Sequence, residues 1–229
     1  MKYLSTAQFR RYVLFVLSSV AIFGGMYVLY SALNTLRTLD AVEAERDRWQ
    51  RPVDVLRALD LKDGNTVVDL GSGAGYFALK ISPAIGPRGR VIAVDLRRLS
   101  LAFLWIRAAL RTPHNIDVVV GEEEDPHLPP ATADAVLIAN TYHEFRNPRT
   151  IIGHVFQALR PGGRLVIVDR GPRPNETEPS NGLAHSHEIP MDAVVQELER
   201  DGFDILYRED PFIDRLGDHP WWLLVSRRH

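Results

Sequence analysis

Two patterns of apolar residues divide the chain. The first is one unbroken block: residues 12–33, YVLFVLSSVAIFGGMYVLYSAL, carry no charge. At about 1.5 Å of rise per residue a helix of this length covers about 33 Å, enough for a hydrocarbon core of about 30 Å. Arg10 and Arg11 precede the block and Arg37 follows it, while Tyr12, Tyr27 and Tyr30 sit near its ends, where amphipathic rings favour the membrane–water interface. The pattern predicts a transmembrane helix over 12–33 behind a short N-terminal tail, 1–11. A cleaved signal sequence is the competing reading, but its apolar region usually runs about 7–15 residues, and Ser31-Ala32-Leu33 makes a poor small-x-small cleavage site. Residues 34–51 are charged, lack Gly and Pro, and carry only the short stripe Leu36, Leu39 and Val42, which predicts a solvated helical stalk ending at Pro52. Basic residues flank the block on both sides, so the positive-inside rule selects no orientation.

From Pro52 the second pattern begins, in which short apolar runs alternate with helical stretches. Strands are predicted at TVVDL (66–70), RVIAVDL (90–96), IDVVVG (116–121), ADAVLIAN (133–140) and RLVIVD (164–169). Between them lie a helix at 76–85 ended by Pro83, one at 100–111, and one at 148–160 closed by Pro161-Gly162-Gly163. The strands are rich in Val, Ile and Leu without alternation, as in strands buried on both faces of a parallel sheet. A polar stretch, 170–190, is long for a connection and predicts a lid; a helix at 191–202 and two strands, FDILYRED and WWLLVSRR, complete the chain as an antiparallel pair. The rhythm predicts an α/β, doubly wound, mostly parallel seven-stranded sheet over 52–229, with ligand-binding residues just after the strands.

Composition narrows the chemistry. The net charge of −2 argues against a nucleic-acid partner. The absence of Cys excludes disulfides, thiolate metal sites and cysteine nucleophiles. His185, His187 and Glu188 suggest a metal only weakly, and no metal site is expected.

The most informative stretch is VVDLGSGAGYF (67–77). Glycines after a first strand let the backbone approach a ligand without Cβ clashes, and the following helix directs N–H groups at the same place. A dinucleotide fingerprint would need Gly at 76, where Tyr76 stands. The pattern is instead D-x-G-x-G-x-G, with Asp69 at the strand end. Together with VIAVDL, LRPGGRLVIVD (159–169) and the final strand pair, it resembles the class I S-adenosylmethionine-dependent methyltransferases, with a core like the quinone-biosynthesis and phospholipid enzymes. Arsenic methyltransferases share the layout but depend on cysteines.

The resemblance implies a Rossmann-like methyltransferase fold, S-adenosylmethionine as cofactor, and cofactor-binding residues Asp69, Gly71, Ser72, Gly73, Gly75, Asp95, Leu96, Glu122, Glu123 and Asn140. Asp95 would accept the ribose hydroxyls, and Glu122 or Glu123 would meet the adenine amino group. NTYHEF (140–145) falls where the family binds its acceptor, making His143 the candidate base and Tyr142 a catalytic-site partner. The expected protein is a membrane-anchored, single-pass methyltransferase acting on a small, hydrophobic or lipid-like acceptor, with its domain on the cytoplasmic side where the cofactor is made. The alternative is a methyltransferase-fold subunit of a membrane complex, packed against a membrane-protein partner without turnover.

Overall fold

The computed structural model describes residues 6–111, 114–172 and 188–229. Most of the expected lid, with His185 and His187, lies outside the described residues. The chain divides into two compact units, Met1–Arg46 and Asp47–His229.

The N-terminal apolar block and most of the expected stalk are one helix, α1 (Thr6–Asp47). From Phe9 to Asp47 it is long and apolar enough to cross a membrane, with a window of mean hydropathy 2.1 of which 0% is buried. Pro52 does not merely end a helix: it opens α2 (Pro52–Ala58), where its missing N–H leaves no helical bond unmade.

The second unit is a seven-stranded sheet in the order β3-β2-β1-β4-β5-β7-β6. Its strands are β1 (Thr66–Leu70), β2 (Arg90–Asp95), β3 (Ile116–Val120), β4 (Ala133–Ala139), β5 (Leu159–Arg170), β6 (Phe203–Ile213) and β7 (Trp221–Arg228). Neighbours from β3 to β5 run parallel, and β7 runs antiparallel to both β5 and β6. The sheet is therefore mixed, parallel except at β7. Successive residues of a strand enter opposite faces: Val67 joins one apolar cluster and Val68 the other. Helices α3 (Ala78–Ala84), α4 (Arg98–Arg111), α5 (Pro148–Ala158) and α6 (Met191–Arg200) connect the strands.

Several boundaries differ from the sequence reading. Pro83 lies inside the last turn of α3, which runs on until Ile85 donates to the Ile81 carbonyl at 3.1 Å. Helix α5 stops at Ala158 because Leu159 already pairs with Ala133. The Pro161-Gly162-Gly163 stretch then forms an irregularity within β5 rather than a loop before it. Strand β6 continues through Pro211 to Ile213, which an edge strand tolerates because its outer side has no ladder to break.

Candidate functional site

The right-handed crossovers gather the carboxyl ends of β1, β2, β3 and β4 on one edge of the sheet. There the loop after β1 is tied to β2. The amides of Gly71 and Ser72 both donate to the Val94 carbonyl, at 2.8 and 3.0 Å. Gly73 N–H donates to Asp95 Oδ2 and Arg97 N–H to Asp95 Oδ1, both at 2.8 Å.

The three glycines of this loop serve different ends. A Cβ on Gly71 would fall onto the Thr141 side chain, and one on Gly75 onto Leu104. Both have positive φ, +81° and +95°, so the fold itself requires them bare. A Cβ on Gly73 would meet nothing within 4 Å. Only there is the space outside the backbone left for a ligand.

Beside this loop lies a cleft of about 130 Å³, open to solvent. Gly71 and Asp95 form one wall, Leu96 and Arg97 the next, Glu122 and Glu123 a third, and Thr141, Glu144 and Phe145 the side belonging to β4. Val94, Pro126 and Ile151 make its floor apolar. Two ion pairs span from wall to wall: Arg97 Nη2 to Glu144 Oε2 at 3.0 Å, and Arg146 Nη1 to Glu123 Oε2 at 2.9 Å. Glu122 stands 3.5 Å from His127 Nε2.

Of the sequence candidates, Gly71, Asp95, Leu96, Glu122 and Glu123 line this cleft. Asp69, Ser72, Gly73, Gly75, Asn140, Tyr142 and His143 do not line it. Asp69 and Ser72 are buried, 2% and 7% exposed. Asn140 turns the chain after β4 at φ +55° and accepts a bond from Arg170 Nε at 3.2 Å. Tyr142 is buried and donates to Glu197 Oε2 at 2.6 Å. Burial foremost, then that carboxylate, pushes the tyrosine pKa well above its ordinary value. His143 Nδ1 lies 2.7 Å from Asp169 Oδ1, and the His143 amide donates to Asp169 Oδ2 at 3.1 Å. Both side chains are nearly inaccessible, 5% and 0% exposed. A carboxylate can only accept, so Nδ1 carries a proton, which in the neutral imidazole leaves the lone pair on Nε2.

Sequence reasoning missed Asp169, Arg97, Thr141, Glu144 and Arg146. Asp169 was findable by rule, since it ends the apolar run of β5 just as Asp95 ends that of β2. The two arginines and their glutamates carry no motif.

The cleft fits a nucleoside. Each Asp95 oxygen accepts one amide and retains a lone pair for a hydroxyl. The buried Ser72 Oγ has no hydrogen-bond partner among the described residues. An apolar floor beneath an acidic rim suits a flat base with an exocyclic amine.

A seven-stranded sheet of this order, with a glycine loop after β1 and an acid closing β2, is the fold of the class I S-adenosylmethionine-dependent methyltransferases. Residues 61–208 match a family model described as a methyltransferase domain, and the chain belongs to that family. It is 33% identical over 108 residues to an arsenite methyltransferase of Halobacterium salinarum, covering 46% of this chain and 27% of that protein. It is 31% identical over 110 residues to the ubiquinone/menaquinone biosynthesis C-methyltransferase of Pseudomonas putida, covering 48% and 43%. The chain thus spans less than half the length of these two relatives. The crystal structure of an S-adenosylmethionine-dependent methyltransferase from Aquifex aeolicus superposes with a TM-score of 0.69 at 23% identity, over 86% of this chain and 98% of that one.

Proposed function

We propose that this protein is a membrane-anchored methyltransferase that moves a methyl group from S-adenosylmethionine to a small, hydrophobic or lipid-like acceptor. The observation that carries the reading is the Asp95 carboxylate, held by the Gly73 and Arg97 amides in the lining of the cleft. The likeness to a quinone C-methyltransferase and the apolar helix α1 support the acceptor class and the anchor. Arsenite chemistry does not transfer on this reading, because the chain has no Cys.

When bound, S-adenosylmethionine supplies an electrophilic methyl group on a sulfonium. In this proposal Asp95 takes the ribose hydroxyls, and Gly73 and Ser72 border the amino-acid portion. Asp69 supplies negative charge behind the loop, Leu96 lies against the base, and Glu122 or Glu123 meets its amine. Displacement at carbon needs chiefly alignment of nucleophile and leaving group, so the rigid loop after β1 is the main contribution of the fold. His143, held by Asp169, takes a proton from the acceptor at Nε2. Tyr142, kept protonated by burial, and Asn140 position the segment after β4. The cytoplasm, where the cofactor is made, is the side proposed for the domain.

The test is calorimetry of the full chain in lipid nanodiscs with S-adenosylmethionine, followed by radiolabelled methyl transfer into lipid extracts and demethylated quinones. Binding with label in the organic phase is expected. A folded protein that gives no heat would sink the enzymatic reading and favour the structural-subunit alternative.

A further inference from the structure

Helix α4 carries two apolar faces, and the domain covers only one. Leu101, Leu104 and Ala108 are buried, and so is Arg107, whose Nη1 donates to the Ala74 carbonyl of the glycine loop at 2.5 Å. Leu99, Trp105 and Leu110 are 72%, 64% and 75% exposed. Ala102 and Ala109 are exposed between them, with Phe103 and Ile106 half-buried. At about 100° per residue these positions sweep an arc of about 160°. A helix apolar on all sides is ordinarily enclosed by protein or lodged in lipid. Leu96, just before the helix, is 53% exposed, and the remaining large exposed apolar residues described in this unit are dispersed over α2, β3, β6 and the β6–β7 connection.

Charge marks the N-terminal end of the same face. Helix α4 contains Arg98, Arg107 and Arg111 but no acid, in a chain whose acids outnumber its Lys and Arg by 29 to 27. Arg98 is exposed within the arc, whereas Arg111 is exposed about 80° outside it. Tryptophan and arginine beside an apolar stripe are the makings of a surface that lies in the interface of an anionic membrane. Leu96 and Arg97, immediately before the helix, line the cleft.

We propose that the outer face of α4 docks on an anionic lipid bilayer, with Leu99, Trp105 and Leu110 at the boundary between headgroups and acyl chains and Arg98 among the headgroups. The inference rests on the membrane-anchored reading and says how the domain meets the membrane. A bilayer is the occupant because the same chain carries an apolar helix able to span one. Tethering makes the second contact intramolecular, so a modest patch suffices. The docked helix leads directly into the cleft wall, which lets an acceptor reach the site without leaving the lipid.

The chain has no Cys, so single cysteines can carry an environment-sensitive fluorophore. Trp105→Cys on α4 and Leu206→Cys on β6 would be labelled in the full chain and reconstituted in phosphatidylcholine–phosphatidylglycerol vesicles. The expected result is blue-shifted emission and about threefold less quenching by aqueous iodide at 105, but not at 206. Adding Leu99→Glu and Leu110→Glu should restore quenching at 105 with S-adenosylmethionine affinity unchanged. Equal quenching at both sites, in protein that resists alkaline carbonate extraction, overturns the docking and leaves the anchor standing. Release by carbonate overturns both. Protection at 105 that persists in detergent and grows with protein concentration assigns the face to a second copy and overturns the lipid.

Discussion

Asp95 Oδ2 accepts the Gly73 amide proton at 2.8 Å, so the acid that ends β2 also fixes the loop that leaves β1. Recognition and loop shape share one carboxylate. Asp95→Asn should weaken S-adenosylmethionine binding about 10- to 100-fold, the range for hydrogen bonds to a charged acceptor. Calorimetry checks this, and an unchanged affinity would remove Asp95 from the ribose.

Gly71 and Gly73 should respond differently to a methyl group. Gly71→Ala combines positive φ with a clash on Thr141 and should cost about 2–4 kcal/mol in urea unfolding. Thr141→Gly in the same background should recover part of that loss. Gly73→Ala meets only open space and should cost about 1–2 kcal/mol, for its left-handed backbone alone. Its larger effect should be on cofactor affinity; a Gly73→Ala protein that binds normally would contradict ligand approach at this position.

Tyr142 and Glu197 give a pH signature. Tyr142→Phe should cost about 1–2 kcal/mol near neutrality, since Glu197 loses its donor. The tyrosine pKa is raised in the folded protein, so its contribution is fully present below the unfolded value of 10.0 and declines as pH rises beyond it. The stability gap between wild type and Tyr142→Phe should therefore narrow above that pH. A gap constant across the alkaline range would mean the hydroxyl ionises equally in both states.

His143 and Asp169 separate binding from turnover. His143→Ala should lower methyl transfer by about 100-fold or more while leaving S-adenosylmethionine affinity within about threefold. Asp169→Asn should retain binding but lose turnover, because an amide no longer fixes the proton on Nδ1. Full turnover in His143→Ala would show that the acceptor needs no base there.

The strands, their order of use and the cofactor loop were legible because they depend on local rules: buried runs of Val and Ile, glycines at a turn, an acid at a strand end. Asp95 and Leu96, which line the cleft, came with the family resemblance. What stayed hidden depends on residues distant in sequence. Nothing in GSGAG tells that Gly71 is bare for Thr141 and Gly75 for Leu104, while only Gly73 leaves room. The apolar segment LAFLWI reads as core from its composition, yet Leu101 and Leu104 are buried while Trp105 is not. Periodicity tells that a helix has an apolar face; here both faces are apolar, and only the packing shows which one the domain covers.

The place of β7 between β5 and β6 has a consequence for how the protein is made. Strand β6 is synthesised first but has no neighbour in the sheet until β7 inserts beside it. During translation, then, β5 presents a bare edge and β6 waits unattached, two ribbons open to mispairing. Chaperone dependence should be concentrated in that interval, and a ribosome-bound chain stalled with β6 clear of the exit tunnel and Trp221 still inside it is the place to look.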